Sequence, residues 1–176
     1  DGVFEPVADI DALDGVPGRR AAMVKMSKSS RTPIRKMLAK DALIGPFVDH
    51  PCKENGLDIE GLAVQGDTVL LGLRGPVIGG HAMIVRLEMK ETKSGALKPR
   101  KLENGQRYQL QAVDLDGQAI RDLEWRDDRL LILTGATTDL EAMQSVVVID
   151  DYDPGRPVYQ AGLLARILDL PVIRGS

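Results

Sequence analysis

One pattern occurs twice in this chain. Leu57-Asp58-Ile59-Glu60-Gly61-Leu62-Ala63-Val64 is followed by Gly66-Asp67-Thr68-Val69-Leu70-Leu71-Gly72-Leu73-Arg74-Gly75-Pro76. A degenerate copy runs Ala119-Ile120-Arg121-Asp122-Leu123-Glu124-Trp125, then Asp127-Asp128-Arg129-Leu130-Leu131-Ile132-Leu133-Thr134-Gly135. Ile59 and Ile120, Leu62 and Leu123, Asp67 and Asp128, and Leu70 and Leu131 align at one offset of 61 residues. Short apolar runs divided by Gly/Asp turns are strands, so the duplication predicts stacked β-modules.

The rest of the chain extends that expectation. Asp1–Gly18 reads as loop, and Ala21–Lys28 as a strand. Thr32 and Pro33 suit the N-terminus of a helix near residues 33–44, whose stripe is Ile34, Met37, Leu38 and Ala42 and whose stop is Gly45-Pro46. Residues 1–56 thus form a partial module with a helix and a loop. The first β-module is 57–116, with strands Leu57–Val64, Val69–Leu73, Ala82–Met89 and Arg107–Val113 and a polar loop over Lys90–Gly105. The second, 117–176, carries strands Ala119–Trp125, Leu130–Thr134 and Ser145–Ile149. Val158–Leu170 fits either a helical stripe (Leu163, Leu164, Ile167, Leu168) or a fourth strand. The expected class is a single, mainly β domain: a partial β-propeller-like array of antiparallel four-stranded modules with one short helix. Two modules do not close a ring, which takes about four or more. An oligomer or a further chain segment is then needed to cover the open β edges.

Composition narrows the function classes. The net charge is −3, and only 3% of residues are aromatic. Neither suits a nucleic-acid binder, which presents a basic face. Cys52 is the only cysteine, so no intrachain disulfide forms. No apolar run reaches the roughly 18 residues of a membrane span. The compartment, cytoplasmic or periplasmic, is left open.

The paired stretches Asp58-Ile59-Glu60-Gly61-Leu62-Ala63 with Leu71-Gly72-Leu73-Arg74-Gly75-Pro76, and Ala119-Ile120-Arg121-Asp122-Leu123 with Leu131-Ile132-Leu133-Thr134-Gly135, resemble the bacterial domain-of-unknown-function family 3616. Leu168-Asp169-Leu170-Pro171 is similar to the segment that precedes that family's last blade. The resemblance runs from about Arg35 to the C-terminus. It implies a β-propeller distantly similar to phytase-like and esterase-like propellers, and longer chains with blade-like segments on both sides. It implies no activity.

Propeller ligands gather where the first strands of successive blades converge. Asp58 and Glu60 hold that place in the first module, and Arg121 and Asp122 in the second. Carboxylates grouped there can bind calcium, which takes about six to eight oxygens. Arg74 and Arg121 can hold a phosphate or carboxylate bidentately. A structural reading stands beside the functional one: Glu60 and Arg121 pair across adjacent blades and fix their angle, and Arg74 caps carbonyls in a turn.

Other constellations are weaker. His50 and His81 are the only histidines, at no zinc spacing. No Gly-x-Ser-x-Gly elbow or phosphate loop is present. Asp150–Gly155 lacks the final Glu and the helices of an EF-hand. Three functions follow as expectations. The first is a module binding a small-molecule or protein ligand. The second is a calcium-dependent phosphoesterase or esterase, and the third a structural interaction domain completed by oligomerisation.

Overall fold

The computed structural model of the chain describes residues 24, 32–137 and 143–171. The expected loop Asp1–Gly18 lies outside these residues. So does the expected strand Ala21–Lys28, except for Val24, which bridges in parallel to Leu97. Thr32 caps helix α1 (Pro33–Leu38) by accepting from the Arg35 amide at 3.1 Å. The helix stops short of residue 44 for a local reason. Asp41 Oδ1 accepts from the amides of Leu43 (2.8 Å) and Ile44 (2.9 Å), a turn that competes with helix continuation.

The remainder is β: β1 (Asp58–Gln65), β2 (Thr68–Gly75), β3 (His81–Glu91), β4 (Leu97–Pro99), β5 (Gln109–Asp114), β6 (Ala119–Arg126), β7 (Arg129–Gly135), β8 (Gln144–Ile149), β9 (Val158–Tyr159) and β10 (Ala165–Leu170). One sheet has the order β1-β2-β3-β5-β9, with β4 added to the end of β3; the other has the order β6-β7-β8-β10. Between these strands every pairing is antiparallel except β5 with β9. Val158–Leu170 takes the extended alternative, interrupted by a 3-10 turn at Ala161–Leu163. β4 falls where the sequence predicts a loop. It is only three residues long and pairs Leu97–Pro99 with Met89–Glu91.

The two hairpins that begin the sheets have matching local geometry. Gln65 pairs with Thr68, and Arg126 with Arg129, so each loop is two residues long. Each loop opens with a positive φ, 59° at Gly66 and 54° at Asp127, in the left-handed region that Gly enters freely and Asp tolerates. Each first strand also carries a β-bulge at the same relative position. Pairing passes from Ile59 to Gly61 over Glu60, and from Ile120 to Asp122 over Arg121. A bulge turns its extra residue out of the ladder and re-aims the side chain.

Packing follows from the strand faces. Leu70, Ala82, Ile84 and Val113 of the first sheet meet Ile120, Leu123, Leu130, Ile132 and Val147 of the second. A glycine pair lets them approach: Gly61 and Gly72 face each other across β1 and β2. A Cβ on Gly72 would sit 2.4 Å from Ile120 Cγ2, and one on Gly61 2.9 Å from Leu123 Cγ. The opposite face of the first sheet, with Leu71, Leu73, Met83, Val85 and Leu87, is covered by Leu38, Ile44 and Val48. β2 is therefore buried on both faces, which accounts for its unbroken apolar run. Fully buried Leu70, Ile84 and Ile132 each contribute roughly 1.5–3 kcal/mol.

Candidate functional site

The re-aimed bulge residues meet. Arg121 Nε lies 2.9 Å from Glu60 Oε2. Arg74 Nη1 donates to Glu60 Oε1 at 3.1 Å and to Asp58 Oδ2 at 3.4 Å. Arg121 Nη1 also donates to the Ala136 carbonyl at 3.2 Å, and its stem runs so close over Gly135 that a Cβ there would be 2.9 Å from Arg121 Cγ. Four of the five residues singled out in the sequence are thus brought together, with two guanidiniums on two carboxylates. Asp122 is not among them: it is exposed, and its Oδ1 accepts from the Leu123 amide at 2.8 Å. This is a clamp between the first strands of the two sheets. The acid oxygens are engaged by arginine rather than turned towards one centre, so these residues do not fit a calcium cage. Among the described residues, no three His, Cys, Asp or Glu side chains converge on a point that could hold a metal. His50 lies edge-on to Phe47, and Cys52 Sγ sits 3.9 Å from the Leu57 carbonyl.

A second polar group lies at the hairpin end of the space between the sheets. On β3, Ala82 and Ile84 pack into the inter-sheet core, and the next two residues on that face are Arg86 and Glu88. Glu88 Oε1 accepts from Arg86 Nη2 (2.6 Å) and Thr68 Oγ1 (2.8 Å), and Oε2 accepts from Arg100 Nη2 (2.9 Å). Burial alone raises the pKa of Glu88. The hydrogen bonds from Arg100 and Thr68, with the charges of Arg86 and Arg100, outweigh it and hold the carboxyl below its ordinary value of 4.5. Spacing and motifs do not single out these residues. Their one trace in the sequence is the charged pair Arg86/Glu88 on the face of an otherwise apolar strand. Thr68 and Arg100, needed to satisfy Glu88, come from β2 and from the residue after β4.

Beside this group, three of the six aromatic residues of the chain gather. Trp125, near the end of β6, meets Tyr152 edge-on with ring centres 5.1 Å apart, and Tyr152 stacks on Tyr159 at 5.9 Å. Tyr152 donates to Gln111 Oε1 at 2.5 Å; Gln111 Nε2 in turn donates to the carbonyls of Asp153 (3.2 Å) and Arg156 (2.9 Å). Burial above all pushes the Tyr152 phenol far up, so it remains a protonated donor.

Two concavities adjoin these residues. A cleft of about 790 Å³ is lined by Arg86, Glu88, Arg100, Asn104, Gln109 and Gly155, among others. A smaller cavity of about 200 Å³ is lined by Gln65, Thr68, Arg86, Trp125, Asp128, Tyr152 and Pro154. Arg86 and Pro154 line both. The arrangement has the make-up of a ligand site: a few placed polar groups and an aromatic wall at the mouth of a packed core. No helix among the described residues is long and apolar enough to cross a membrane.

The model of the family described as protein of unknown function (DUF3616) matches residues 8–176. No protein of curated function and no solved structure is matched.

Proposed function

The chain belongs to the DUF3616 family of proteins of unknown function, and from that premise we propose that it is a ligand-binding module whose ligand enters the cleft between β3, the segment after β4 and the loop after β8. The observation that carries this reading is the 790 Å³ cleft, with Arg86, Glu88 and Arg100 already locked into one hydrogen-bonded unit on its wall. Locked side chains lose little entropy when a ligand arrives, which favours binding. The finer fold reading belongs to the same proposal: the two sheets, antiparallel apart from β9, are blades of a propeller-like array, with β1 and β6 innermost. The matched loops and bulges support it. The clamp of Asp58, Glu60, Arg74 and Arg121 is then the joint between blades rather than the ligand site.

A fragment screen on the isotope-labelled chain, followed by amide NMR shifts, tests the binding reading. Shifts should concentrate at Asn104, Gln109 and Gly155. Hits that map to neither this cleft nor the adjoining cavity at Trp125, or none at all, would end it.

One observation favours a second reading, an interaction domain completed by oligomerisation. The edge strands expose apolar side chains, with Leu62 and Val64 on β1 and Ile167 and Leu168 on β10 each more than half accessible. The calcium-dependent esterase reading has no such support, because the carboxylates it relied on are engaged by Arg74 and Arg121.

A further inference from the structure

Two buried N–H donors beside the small cavity have no acceptor among the described residues: Arg86 Nε and Trp125 Nε1. A buried donor without an acceptor has given up water for nothing, so folded proteins nearly always supply one. Both residues line the same 200 Å³ cavity. The Arg86 guanidinium is only partly committed, with Nη2 on Glu88 Oε1 at 2.6 Å. Its Nε–H is left over.

We propose that this cavity binds a small-molecule carboxylate. Its oxygens accept from Arg86 Nε and Trp125 Nε1, and its organic body lies against Trp125, Tyr152 and Pro154. The inference rests on the binding-module reading and names the ligand class for the inner end of that site.

Three features select a carboxylate over a phosphate. Two donors match the two oxygens of a carboxylate and leave a phosphate under-served. Asp128 lines the cavity and Glu88 is ionised beside Arg86, so a dianion meets more repulsion than a monoanion. The aromatic wall offers apolar area that inorganic phosphate cannot use. The volume suits a compact ligand with a single ring.

Trp125 is the only tryptophan of the chain, so its fluorescence reports on the cavity directly. The chain is titrated with benzoate, acetate and inorganic phosphate at constant ionic strength. A saturable change is expected with benzoate, a weaker one with acetate and none with phosphate. Arg86→Lys keeps a cation beside Glu88 but removes the Nε–H, and should weaken benzoate by about tenfold or more. Trp125→Phe, followed by calorimetry, should do likewise and serves if Arg86→Lys does not fold. The proposal is overturned by a folded protein that gives no saturable response to carboxylates. It is equally overturned by phosphate binding as well as benzoate, or by unchanged affinity in a folded variant. If carboxylates fail while fragments still shift Asn104, Gln109 and Gly155, the carboxylate assignment falls and the binding module stands. A blank fragment screen removes both.

Discussion

Glu60 shows how one backbone irregularity decides the use of a side chain. In a regular strand it would alternate with its neighbours; at a bulge it turns aside to meet Arg121, the bulge residue 61 positions later. Because Glu60 also accepts from Arg74, removing it leaves two guanidiniums facing each other. Glu60→Gln should cost about 1–3 kcal/mol in urea unfolding, and a double-mutant cycle with Arg121→Gln should show coupling of about 1 kcal/mol. Additive losses would mean that the contact does not hold the sheets. The pairing of Glu60 with Arg121 was legible as one of two alternatives, since equivalent positions of duplicated strands are natural neighbours. The isolation of Asp122 was not, because a one-residue bulge moves it off the shared face. Glu88 carries a pH consequence. Its folded pKa lies below the unfolded 4.5, so its contribution is complete above that value and lost as pH falls through the folded one. Acid unfolding of Glu88→Gln should therefore show less loss between neutral pH and the acid limb than the parent protein. Parallel profiles would mean that Glu88 is not held in its charged form.

At the scale of elements, the glycine pair sets how closely the sheets meet. Gly72→Ala places a methyl where Ile120 Cγ2 already stands, against two rigid sheets. A loss of about 1–3 kcal/mol is expected in urea unfolding. Gly66→Ala, with open space at its tip, should cost only the strain of its positive φ. An equal loss for the two would refute the packing argument. Most strands were legible, because alternation and Gly/Asp turns are local signals. The elements that differ from expectation had weak local signals or a local competitor. β4 is only three residues long and exists through its pairing with β3. Helix α1 ends at Leu38, and the Asp41 side chain takes the amides of Leu43 and Ile44 that a helix reaching residue 44 would use.

For the whole molecule, the loop after β8 is the tie. It leaves the second sheet, lays β9 beside β5 of the first, and returns as β10. Tyr159, almost fully buried, anchors it: its hydroxyl donates to the Asp153 carbonyl at 2.8 Å and accepts from the Asp153 amide at 2.9 Å. Tyr159→Ala should cost about 3–5 kcal/mol, the range for truncating a buried aromatic. Trp125 fluorescence and far-UV circular dichroism should trace one shared unfolding transition in the parent protein, since a single core joins the sheets. Separate transitions would show two independent units. The exposed edges make a further prediction at this scale. Sedimentation should show association rising with concentration, and Leu62→Lys or Ile167→Lys should reduce it. A concentration-independent monomer would remove the oligomer reading. By itself the sequence determined the β class, the duplicated hairpins and their turns, and the residues that became the clamp, because periodicity and turn chemistry act over a few neighbouring residues. Only the tertiary structure decided that Arg86, Glu88, Arg100, Trp125 and Tyr152 line two adjoining concavities that meet at Arg86. Those residues come from β3, the segment after β4, β6 and the loop after β8, up to 66 positions apart, and they are brought together by the pairing of β4 with β3 and by the packing of one sheet on the other rather than by any local pattern.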